Sequence, residues 1–60
     1  ALACAENIAM GTGMDADSVM SSWMDSAGHR ENILDGSYAT LGVGCYWYGS
    51  DVYWVQLFGR

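Results

Sequence analysis

Thr40-Leu-Gly-Val-Gly-Cys-Tyr-Trp-Tyr48, then Gly49-Ser50-Asp51, then Val52-Tyr-Trp-Val-Gln-Leu-Phe58, is the run that decides how this chain folds. Its period is two. Leu41, Val43, Cys45 and Trp47 fall on one face, and Gly42, Gly44, Tyr46 and Tyr48 on the other. Gly49-Ser50-Asp51 reads as a short hairpin loop. The returning segment sets Tyr53, Val55 and Leu57 against Trp54, Gln56 and Phe58. Both faces of such a hairpin are apolar or glycine, which fits a sheet with a layer on either side. A chain of 60 residues hardly contains two covering layers. The expectation is an incomplete domain in which Trp23, Trp47, Trp54 and Phe58 are partly uncovered or buried by another chain.

Outward from the hairpin, the preceding residues change period at about residue 36. Asp15 or Asp17 can cap a helix running to about Ser26, with Val19, Met20, Trp23 and Met24 on one side. Gly28 is placed to take a left-handed conformation that ends it. His29 to Leu34 suit one further short turn, which Asp35-Gly36-Ser37 breaks. Residues 1–10 read as a helical or an extended apolar segment, stopped by Gly11 and Gly13.

The composition narrows the class. The chain is 52% hydrophobic, with no proline, and carries net charge −5 from seven acids and two arginines. That balance argues against binding to phosphate backbones, which needs a basic patch, and against docking on anionic membranes. No window approaches the ~20 apolar residues of a membrane span. No basic, apolar leader opens the sequence, so a mature or truncated chain is expected. Cys4 and Cys45 are not spaced like a zinc ribbon or a redox CxxC pair.

The residues with chemistry to offer are few. Ser26-Ala-Gly-His-Arg-Glu-Asn-Ile-Leu34 holds the only histidine, His29, placed by this reading just past a helix C-terminus. One role is to cap those carbonyls. The other needs a partner, and Glu6 is the best candidate because it stands among apolar residues, where a carboxylate is expensive unless something meets it. Such a pair supplies a base and part of a zinc ligand set, and only half of what either usually requires. Glu6 could equally bond the backbone or Arg30. Spacing does not choose. Ser18, Ser21, Ser22 and Ser26 sit in no strained nucleophile elbow. Gly42-Val-Gly44 is too short for a phosphate loop. The aromatic run Tyr46 to Tyr48 with Tyr53 and Trp54 suits cross-strand packing better than the stacking of sugars or bases.

Four blocks in register then resemble one family. They are Glu-Asn-Ile-Ala-x-Gly (Glu6 to Gly11), Trp-Met-x-Ser-x-Gly-His-Arg-x-Asn-Ile-Leu (Trp23 to Leu34), Leu-Gly-Val-Gly (Leu41 to Gly44) and Tyr-Trp-x-Gln-x-Phe-Gly (Tyr53 to Gly59). Together they look like the bacterial branch of the CAP superfamily, the SCP-like domains that include cysteine-rich secretory, antigen 5 and pathogenesis-related proteins. The resemblance implies an α/β fold, an α-β-α sandwich of which residues 1–60 would be the truncated C-terminal half, helices and then a β-hairpin. It implies a cleft of two histidines and two acids, in some members binding zinc. Glu6 matches one acid and His29 the second histidine and tentative metal ligand. The other acid falls near Ser26, which is not acidic, so two of the four are present. Ala5 and Ala27 replace a usual glycine and proline.

What this implies for function is a secreted or cell-surface bacterial binding module. Its ligand would be a small molecule, a lipid or a protein, with a His29/Glu6 cleft able to take a divalent metal such as Zn2+. The rival is a zinc-dependent hydrolase using Glu6 as base. Neither nucleic acid nor a transmembrane segment is expected, and exposed apolar faces suit chain–chain packing. Export would favour a Cys4–Cys45 disulfide over two buried thiols.

Overall fold

In a computed structural model, residues 3–60 are described, and they form two helices and a three-stranded antiparallel sheet. The order along the chain is β1 (Ala3–Thr12), α1 (Ala16–Asp25), α2 (Ala27–Leu34), β2 (Thr40–Tyr48) and β3 (Asp51–Gly59). The first segment is therefore a strand. Its small residues alternate with larger ones, and it runs through Gly11 to Thr12 before Gly13, at φ 62°, turns the chain. The predicted hairpin is present, with Gly49 also at φ 62°. A positive φ at only the first of the two loop residues is the habit of the type II′ hairpin turn, whose twist matches that of its strands.

The sheet order is β1-β3-β2, so β3 lies in the middle. Residues opposite one another share a face. On one face lie Asn7, Ala9 and Gly11 of β1, opposite Gln56, Trp54 and Val52. Both helices pack on this side, against β1 and each other. The small side chains of Ala5, Ala9 and Gly11 let them approach. Val19 and Trp23 of α1 and Val52 and Phe58 of β3 form the apolar core, and the rings of Tyr38 and Phe58 sit 5.6 Å apart. The other face carries Ile8, Met10, Tyr46, Tyr48, Tyr53 and Leu57, all exposed. Trp23 and Phe58 are thus buried within the chain, against expectation, while Trp47 is exposed and Trp54 half-buried, as expected.

The first helix ends at Ser26, as expected, but the second begins there too, earlier than expected. Asp15 caps α1, its carboxylate accepting from the Ser18 N–H at 2.8 Å. The break falls at Ser26, extended at φ −100° and ψ 118°, which ends α1 and begins α2. Serine favours a helix start, so Gly28 becomes an ordinary second residue of α2 and does not turn left-handed. His29 accordingly lies in the first turn of α2 and not beyond a helix end.

The expected disulfide does not form. Cys4 is on β1 and Cys45 on β2, with β3 between them. Two strand spacings alone separate their backbones by roughly 10 Å, beyond the ~7 Å limit for a bridge. Both side chains are exposed, so neither acts as a core residue.

Candidate functional site

Glu6 and His29 were the residues to bring together, and the fold keeps them apart. Glu6 stands opposite Leu57 on the face away from the helices, exposed beside Cys4, Ala5 and Leu57 around a shallow depression of about 240 Å³. Its neighbour Asn7 is the side chain that turns to the helices. There Asn7 is fully buried and its Nδ2 donates to the His29 carbonyl at 3.0 Å. Strand alternation lets only one of the two face inward. A neutral amide fits the buried position. A carboxylate there would be desolvated and pressed against carbonyl oxygens. The expectation of Glu6 and His29 on two lips of one cleft is corrected on this point.

Asn7 is instead the hub of a polar cluster. Its two amide hydrogens go to the His29 carbonyl and to Gln56 Oε1 at 3.2 Å, and its Oδ1 accepts from Asn32 Nδ2 at 2.9 Å. Gln56 Nε2 lies 3.8 Å from the sulfur of Met20. These bonds tie α2 to β1 and β3, with α1 at the margin. Asn32 Nδ2 also reaches the Glu6 carbonyl at 3.5 Å. The His29 ring is half-buried, with its Nδ1 2.8 Å from Ser26 Oγ. Asn7, Asn32, Gln56 and Ser26 were not singled out from sequence as a cluster. The signal was there: Asn7 interrupts the small residues Ala5 and Ala9 on one face, and Gln56 interrupts Trp54 and Phe58.

Zinc would need more than this. Among the described residues no group of three or more His, Cys, Asp or Glu side chains is close enough to hold a metal ion. Among the described residues His29 would be a lone ligand, with Glu6 on the far side of the sheet, so these residues by themselves do not make a zinc centre.

The order of these elements and their sequence can be set against known proteins. Residues 4–58 match the model of CAP, the cysteine-rich secretory protein family. The chain belongs to this family. Its two helices and three antiparallel strands are those of a small α/β portion of a CAP domain. The uncharacterized protein YkwD of Bacillus subtilis (strain 168) is similar, at 43% identity over 53 residues. That match covers 88% of this chain and 20% of YkwD, so the CAP chain spans about a fifth of the length of this relative. No solved structure matches.

One concavity of the CAP chain is apolar and of ligand size. Ile8 of β1, Tyr53 and Val55 of β3, and Tyr46, Trp47 and Tyr48 of β2 line an open depression of about 570 Å³ that spans all three strands. Tyr46 leans back along its own strand over Gly44, where its ring takes the space that a side chain would fill. No helix among the described residues is long and apolar enough to cross a membrane.

Proposed function

We propose that this chain serves in a secreted or cell-surface bacterial CAP domain that binds an apolar ligand and breaks no bond in it. The observation that carries this reading is which side chains converge. The aromatic and aliphatic residues around Tyr46 and Tyr53 do, in a depression within the range of ligand sites. The ionisable ones, Glu6 and His29, do not. The family's description as secretory and the Bacillus relative support an extracellular, bacterial setting. A lipid, an apolar small molecule or an apolar protein segment would each suit the surface. Zinc-dependent hydrolysis finds no support in the geometry, because it needs Glu6 as a base beside a metal on His29.

The test uses the intact protein. Calorimetric titration with a long-chain fatty acid and with a soluble sterol is expected to show binding that Tyr48→Ala weakens about tenfold or more. Zinc is expected to bind no more tightly to the protein than to its His29→Ala variant. Zinc-dependent cleavage of casein that His29→Ala abolishes would overturn the reading. So would the absence of binding to either lipid, to an apolar small molecule and to an apolar peptide.

A further inference from the structure

The described residues include two helix starts, and they are used differently. At Asp15 the side chain does what a cap does and accepts a backbone N–H of the first turn. At Ser26 the residue has the right backbone conformation and the right chemistry, yet its hydroxyl makes no capping bond. It lies 2.8 Å from Nδ1 of His29, the third residue of α2. The same histidine is held at its other end, where its carbonyl accepts from buried Asn7. Backbone and ring are thus fixed by separate partners.

We propose that Ser26 is a positioning residue that holds His29 in the tautomer protonated at Nδ1, leaving the Nε2 lone pair available. The direction of the proton follows from where the oxygen sits. At the start of a helix the surroundings are rich in unsatisfied N–H groups and carry the positive end of the helix dipole, which favours an oxygen that accepts. The Ser26 oxygen has no partner besides His29 Nδ1 among the described residues, and Ser26 is only half-buried, so its hydroxyl hydrogen can turn to solvent. With Nδ1–H donated to Oγ, the imidazole becomes an oriented acceptor at Nε2, able to take a proton or a hydrogen bond from a ligand. Ser26 does this whatever the aromatic face binds, so failure of one proposal leaves the other standing.

Long-range 1H–15N spectra of the 15N-labelled intact protein at about pH 9, above the ordinary imidazole range, report the tautomer directly. His29→Gln assigns the signals by removing them. The expected wild-type result is a ring protonated mainly at Nδ1. Ser26→Ala is expected to shift the tautomer ratio toward Nε2–H by about three- to tenfold, the worth of one hydrogen bond, and Ser26→Thr to restore it. A purely structural role would lower the melting temperature of Ser26→Ala and leave the ratio unchanged, which would overturn the proposal. A wild-type ring protonated mainly at Nε2 would overturn it too. If Ser26→Ala does not fold, the wild-type and Ser26→Thr spectra decide, since both must then show Nδ1–H in excess.

Discussion

Val52 and Trp47 are direct partners across β3 and β2, on the same face of the sheet, yet Val52 is 0% exposed and Trp47 is 70% exposed. The same holds one step along: Phe58 is buried and its partner Leu41 exposed, Gln56 buried and its partner Val43 exposed. Residue type does not explain this. The two helices reach over β1 and β3 and stop, so the boundary of the core runs between β3 and β2. Alternation decides which way a side chain points, and the element above decides whether it is buried. A two-faced apolar strand is therefore evidence of a place where something can pack, and the chain fills that place over only part of its sheet.

The largest expected effect tests the filled part. Trp23→Ala empties a position that is 3% exposed and should cost about 3–5 kcal/mol, the usual loss for a buried aromatic. Trp47→Ala should cost about 0.5 kcal/mol or less, as at ordinary surface positions. Urea unfolding of the two variants in the intact protein compares them directly. Equal losses would mean that another layer covers β2 there, and the contrast would disappear. Trp23→Phe sharpens the point. The Trp23 indole N–H is buried with no hydrogen-bond partner among the described residues. Its removal should offset part of the lost volume, so Phe should be tolerated far better than Ala.

Next in size is the polar hinge between helices and sheet. Asn7→Ala strands Gln56 and Asn32 and should cost about 2–3 kcal/mol, given the penalty for buried groups left unpaired. Asn7→Asp should cost more, because a carboxylate would face the His29 carbonyl and Gln56 Oε1. Glu6→Gln, one residue away on the open face, should change melting little. If Glu6→Gln is the more damaging variant, the facing of β1 is the reverse of the one described.

These positions also show what could be read from the residues alone. The hairpin, its loop and its two faces followed from alternation over Leu41 to Phe58, because a strand has only two sides. The membership in the CAP family followed from four spaced blocks. Glu6 was prominent because a charge stood among apolar residues. Exposure on a face no helix covers removes that tension, and nothing local told which of Glu6 and Asn7 would turn inward. That depends on where the helices lie. The start of α2 at Ser26 was hidden for a related reason. Glycine is a strong stop signal, but serine can end one helix and start the next, and a helix that starts at Ser26 absorbs Gly28. The cysteines were misjudged because strand order, β3 between β1 and β2, is a tertiary fact.

Smaller effects probe the uncovered side and the helix ends. Gly49→Ala forces a side chain onto a φ of 62° and should cost about 1–2 kcal/mol through backbone strain alone, though nothing packs against the site. A loss near zero would mean that the turn relaxes freely, which an open edge permits and a covered one does not. The smallest effect is a pH dependence. The Ser18 N–H and hydroxyl hold the Asp15 carboxyl below its ordinary value of 3.8, and the Ser37 hydroxyl and N–H do the same for Asp35. Each folded-state value lies below the unfolded one. Their contribution is therefore complete above the ordinary carboxylate range and is lost as pH falls through it toward the lower folded value. Asp15→Asn keeps an N-cap and should flatten the Asp15 part of the acid limb in a melting series. An unchanged slope would sink the assignment.

The strand order carries a consequence for how the sheet is assembled in time. β2 and β3 are joined by two residues, but β1 pairs with β3 across the whole chain, Thr12 against Asp51 at one end and Ala3 against Gly59 at the other. Loop closure makes such distant pairing slow and local pairing quick. The hairpin should zip first, and β1 should add last, drawing both helices over the sheet as it docks. During synthesis β1 cannot make this pairing until β3 has left the ribosome. Pulse-labelled hydrogen exchange should show early protection at Val43 and Val55 and late protection at Ile8. Simultaneous protection of all three would show that the sheet forms in one step.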